Sequence, residues 1–76
     1  MPQLPILSGK EVVKALERGG YMVIRQRGSH IRMVSSARPQ WPVTVPRHKT
    51  IGRGLLRKII QDASLSVEQF LGLVGR

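Results

Sequence analysis

The chain reads as an α+β protein, a two-layer α-β-β-β-α arrangement. Helices cover one face of a three-stranded antiparallel sheet, and a short helix follows at the C-terminus. Three observations predict it. Amphipathic helical spacing flanks both sides of the 76-residue sequence. Aromatic and β-branched runs fill the middle. The connections between those runs are short, which makes the strands an antiparallel meander. Three strands have only enough helix to hide one face, so the other face is left open.

Each element has its own local reason. Ser8-Gly9-Lys10-Glu11 is a capping box, and Val12, Val13, Ala15 and Leu16 recur behind it at helical spacing. Gly19-Gly20 then ends the helix, which spans 9–18. Tyr21 to Gln26 reads as a strand, Arg27-Gly28-Ser29 as a turn, and His30 to Val34 as the second arm of a hairpin. Ser35 to Gln40 reads as a loop. Val43-Thr44-Val45 reads as a short edge strand, because Pro42 and Pro46 bracket it and proline cannot donate to a ladder. Arg47 to Gly54 is a basic loop. From Leu55 the apolar set Leu55, Leu56, Ile59, Ile60 and Ala63 opposes Arg57, Lys58, Gln61 and Asp62, the pattern of a second helix. Ser66 with Gln69 opens the last one.

Composition narrows the function. The length allows one domain, 1–76, with residues 1–7 as an N-terminal extension, and no large internal cavity. The absence of cysteine excludes disulfides, thiolate nucleophiles and zinc knuckles, and two histidines are too few for a structural metal site. No metal or other cofactor is expected. No apolar run approaches the ~20 residues of a membrane span, and Met1 to Pro5 lacks the features of a secretory signal. A soluble, cytoplasmic protein is therefore expected. Thirteen Lys and Arg against four Asp and Glu give a net charge of +9. Nine of these cations are Arg, whose forked guanidinium suits phosphate, so the charge points to nucleic acid.

Strand alternation assigns the faces. Met22, Ile24, Ile31 and Met33 form one apolar set expected under the helices; Tyr21, Val23, Arg25, His30, Arg32 and Val34 point the other way. A two-residue turn at Arg27-Gly28 sets Arg25 opposite His30 and Val23 opposite Arg32. Ile24, Ile31, Leu16, Leu56, Ile59 and Ile60 should then be buried, with His30 and Arg25 open to solvent. A histidine among arginines can act as a base beside groups that hold a phosphodiester. RNA supplies its own nucleophile, the 2′-hydroxyl, so such a site needs no carboxylate cluster and no metal. Two-metal nuclease chemistry does need one, and the sequence has none.

Gly28-Ser29-His30 after Arg25-Gln26-Arg27 resembles the signature of HicA toxins, the RNA-cleaving half of HicAB toxin–antitoxin pairs. Ser8-Gly9-Lys10-Glu11-Val12, Gly20-Tyr21, Val45-Pro46-Arg47-His48 and Gly54-Leu55-Leu56-Arg57-Lys58-Ile59-Ile60 are similar to that family in order and spacing. The resemblance runs from about Leu7 to Phe70; Ser64 departs from it, where the family often has Gly. It implies a fold like a double-stranded-RNA-binding domain and a catalytic His30. It also implies endonucleolytic cleavage of mRNA, arrest of translation and growth, and a HicB antitoxin that covers the active site. Lys10, Arg25, Arg27, Ser29, Arg32, Arg47, Lys49 and Arg53 are candidate RNA contacts. His48 is a candidate general acid, though a loop histidine ordering the basic segment fits it better. Trp41 fits equally a base-stacking role and a cover for the core edge. Two other readings stand beside the nuclease. One is a non-catalytic module of double-stranded-RNA-binding type, and the other a basic structural protein of the ribosome.

Overall fold

A computed structural model describes residues 3–75. Its elements are α1 (Gly9–Arg18), β1 (Tyr21–Arg27), β2 (His30–Ser35), β3 (Arg38–Pro46), α2 (Arg53–Asp62) and α3 (Val67–Val74). The sheet is antiparallel in the order β1-β2-β3. This is the α+β layout that the sequence predicts.

Helices α1 and α3 start where their caps dictate. The Ser8 Oγ accepts from the Glu11 N–H at 3.1 Å, and the Ser8 N–H donates to the Glu11 carboxylate at 3.0 Å. Ser66 and Gln69 make the same reciprocal pair at 3.0 and 2.8 Å. Two donors with no partner inside the helix are thus satisfied at each end. Arg18 closes the helical layer from the other side, donating to the Leu73 carbonyl at 2.8 Å.

One core lies between the layers. Val12, Ala15 and Leu16 from α1, Leu56, Ile59 and Ile60 from α2 and Phe70 from α3 meet Ile31, Met33, Val43 and Val45 of the sheet. Two residues of the N-terminal stretch belong to it as well. Leu4 and Leu7 are buried, Leu7 bridges to Ile51, and the Arg53 Nε donates to the Leu4 carbonyl at 2.7 Å. Burying a leucine side chain stabilises by about 1.5–3 kcal/mol, so this stretch contributes on the scale of a domain's whole net stability.

Strand β1 departs from simple alternation. Met22 and Ile24, expected in the core, are 58% and 53% exposed, whereas Tyr21 is buried. The cause is a bulge between Val23 and Arg25 that leaves Ile24 without a partner on β2. One extra residue reverses the alternation across it. Val23 therefore pairs with buried Met33 on the helical side, while Arg25 and Arg27 pair with Arg32 and His30 on the open side. The turn residues are Gly28 and Ser29, one position later than expected. Gly28 has φ +57°, the positive value that tight hairpin turns require.

Tyr21 goes inward because its hydroxyl finds a partner there: it donates to the Ala63 carbonyl at 3.1 Å, at the end of α2. Tyr21→Phe keeps the ring and loses that bond, so unfolding experiments should show a destabilisation of about 1 kcal/mol. A loss below a few tenths of a kcal/mol would mean that the bond is not formed in solution.

Strand β3 is longer than expected, nine residues in place of three. Its prolines are accommodated by an irregularity: Met33 pairs with Val43 and Ser35 with Arg38, so residues 39–42 span a single position of β2. Pro39 and Pro42 fall inside that stretch, where no ladder donor is required of them.

Candidate nucleic-acid interface

The open face of the sheet holds a shallow basin of about 340 Å³ lined by Arg25, Arg27, His30, Arg32 and Thr44. The hairpin builds it from two adjacent pairs, Arg27 with His30 and Arg25 with Arg32. Side chains of residues directly opposite stand about 4.5–5.5 Å apart at Cβ, so a guanidinium lies beside the imidazole. On the far side of β2, Arg32 pairs with Thr44 and His30 with Pro46. All five lining residues are exposed.

The electrostatics are one-signed. Three arginines line the basin and no acid does. Glu11 and Glu17 sit on α1, Asp62 on α2 and Glu68 on α3, in the layer across the sheet. Asp62 is engaged there with Lys58 at 2.9 Å. An anion reaching the basin meets clustered guanidiniums with no nearby carboxylate to neutralise them. Among the described residues, no three of His, Cys, Asp and Glu gather in a way that could hold a metal ion.

The other candidates lie elsewhere. Lys10 and Arg47 border a groove on the helical side, together with Val13, Lys14, Glu17, Val23, Gln26 and Ile31. Ser29 is in the hairpin turn, where its carbonyl accepts from the Arg47 N–H at 2.5 Å. His48 is exposed and outside the basin lining; its carbonyl accepts from the Gly9 N–H at 2.8 Å. Lys49 is exposed in the following loop, and Arg53 is turned to the Leu4 carbonyl. Trp41 is 57% exposed and does not seal the core edge. Thr44 is the lining residue that sequence reasoning missed. Its signal was present: Val43 and Val45 are buried, so the residue between them must face outward.

Residues 9–65 match the family model for the HicA toxin of bacterial toxin–antitoxin systems. The chain belongs to the HicA toxin family. The match spans α1, the whole sheet and α2, and so includes every residue of the basin. No curated protein and no solved structure matches the chain. As a HicA toxin, the chain is one half of a pair whose other half is an antitoxin. No helix among the described residues is long and apolar enough to cross a membrane.

Proposed function

We propose that this HicA toxin is a metal-independent endoribonuclease that cleaves mRNA and so arrests translation, with His30 as its catalytic base. The observation that carries the reading is the basin itself: one histidine paired with an arginine, two further arginines beside it, and no acid in the lining. Arg25, Arg27 and Arg32 hold the non-bridging oxygens of the scissile phosphate, and Thr44 offers a hydroxyl beside Arg32. His30 takes the proton of the 2′-hydroxyl. The 2′-oxygen then bonds to phosphorus, the bond from phosphorus to the 5′-oxygen breaks, and that oxygen leaves with a proton drawn from water. The products are a 2′,3′-cyclic phosphate and a 5′-hydroxyl. A HicB antitoxin that covers His30 and meets Arg25, Arg32 or Lys49 with carboxylates would shut this site.

The test uses purified toxin and a defined oligoribonucleotide. Cleavage should proceed in EDTA and leave a 2′,3′-cyclic or 3′-phosphate. A single 2′-deoxy substitution at the cut site should abolish it, and DNA should be bound without being cut. Strict dependence on Mg²⁺ with 5′-phosphate products would overturn the proposal, since the 2′-hydroxyl would then not be the nucleophile.

A further inference from the structure

The sheet has two outer edges, and the chain treats them differently. Edge β3 carries Pro39, Pro42 and Pro46, which withhold backbone donors and discourage another strand from pairing. Edge β1 carries no proline and exposes three consecutive apolar residues: Met22 at 58%, Val23 at 42% and Ile24 at 53%. Exposed apolar side chains together with an unpaired ladder mark a place where a strand is added.

The flanks of this edge say what kind of strand fits. On the helical side α1 stops short of covering β1, leaving a groove of about 250 Å³. Its floor is apolar, with Val13, Val23 and Ile31; Lys10, Lys14 and Arg47 border it together with Glu17, three cations against one acid. On the open side the outward residues of β1 are Met22, Arg25 and Arg27. A second copy of the chain would bring another +9 to an already cationic edge, so self-pairing is opposed. Side chains of an added strand alternate between the two flanks. The complementary segment sets apolar residues toward the groove and carboxylates toward Arg25 and Arg27.

We propose that edge β1 is a docking surface for an extended segment of a protein partner with alternating apolar and acidic residues, added to the sheet as a fourth strand. Toxin–antitoxin membership supplies a partner, and the inference rests on the proposed RNA site only in its consequence. Carboxylates on Arg25 and Arg27 would occupy two of the three guanidiniums of the basin, so the same strand would exclude RNA from the side.

The test is a titration of the chain with a seven-residue peptide alternating Val and Glu, followed by amide hydrogen exchange. Two further peptides of identical sequence are N-methylated at the odd or at the even positions, which removes ladder donors and keeps the charge. The expected result is slowed exchange over Met22–Arg27, with at least one methylated peptide binding about tenfold more weakly, the equivalent of one or two lost hydrogen bonds. Val23→Lys, on the groove floor, and Ile24→Lys should each weaken the plain peptide while leaving the circular dichroism spectrum unchanged. Equal binding of all three peptides would mean that charge alone attracts them and would overturn the proposal. So would protection confined to the helices, or sedimentation of the free chain as a dimer that these two variants dissociate. None of these readouts uses cleavage, so a chain without nuclease activity leaves the result interpretable.

Discussion

Replacing His30 by alanine should lower RNA cleavage by about 10²–10⁴-fold, the usual contribution of a positioned acid–base group. Two quantities should hardly move. His30 is exposed, so thermal stability should stay within the range of an ordinary surface change. Binding should also persist, because affinity for RNA comes from phosphate contacts and Arg25, Arg27 and Arg32 remain. Single-turnover kinetics with saturating protein separates the two. His48→Ala is the companion variant: its side chain lies outside the basin lining, and cleavage should stay within about tenfold of the parent. A loss as large as that of His30→Ala would instead make His48 the acid that protonates the leaving oxygen. Unchanged cleavage and unrelieved growth arrest in His30→Ala would remove the histidine mechanism, and a non-catalytic RNA-binding module would become the better account.

The second large effect is expected at Gly9, in the helical layer. A Cβ there would stand 2.1 Å from the Pro46 carbonyl oxygen and 3.0 Å from the Arg47 Cα. Both are backbone atoms, so no flexible side chain can move aside. Gly9 also donates its N–H to the His48 carbonyl, which presses the first turn of α1 against the exit of β3. Gly9→Ala should therefore destabilise by about 1–3 kcal/mol or more through overpacking. For a domain of this size that lowers Tm by about 5–20 °C in a thermal melt. The sign is informative, because helix propensity alone predicts a gain of about 1 kcal/mol from the same change. A stable Gly9→Ala variant would mean that the helix and the strand exit are not in contact.

How much of this was legible beforehand depends on which physics decided each element. Capping boxes and helical periodicity are local, and Ser8, Ser66 and the apolar stripe of α2 placed the helices within a residue or two. The burial of Leu16, Ile31, Leu56, Ile59 and Ile60 followed from the same patterns. Alternation failed at Met22 and Ile24, because a bulge is a pairing event between strands and has no strong signature within one of them. The exposure of Arg25 and His30 nevertheless agrees with the expectation, since the bulge restores the outward parity of Arg25. Strand β3 was read too short for a related reason: Pro39 and Pro42 argue against a ladder locally, while β2 tolerates them by skipping the stretch they occupy. The role of Leu4 and Leu7 was illegible. Their partners Ile51 and Arg53 are more than forty residues away, and nothing in a short window signals that contact.

That distant clasp also sets an order of events during synthesis. The two hairpins of the meander join neighbouring segments and need only short loops to close. The bonds from Arg53 to Leu4, Tyr21 to Ala63 and Arg18 to Leu73 span 49, 42 and 55 residues. Loop closure over such distances carries a larger entropic cost and waits for the distal partner to be made. At about 5–20 residues per second, Phe70 follows Arg32 by roughly 2–8 s. Throughout that interval the cationic hairpin has left the peptidyl-transferase centre with only α1 of the helical layer to support it, and an isolated hairpin is at best marginally stable in water. The support of β1 and α1 thus falls to late segments of the chain, since Ala63 and Leu73 carry the carbonyls that hold Tyr21 and Arg18.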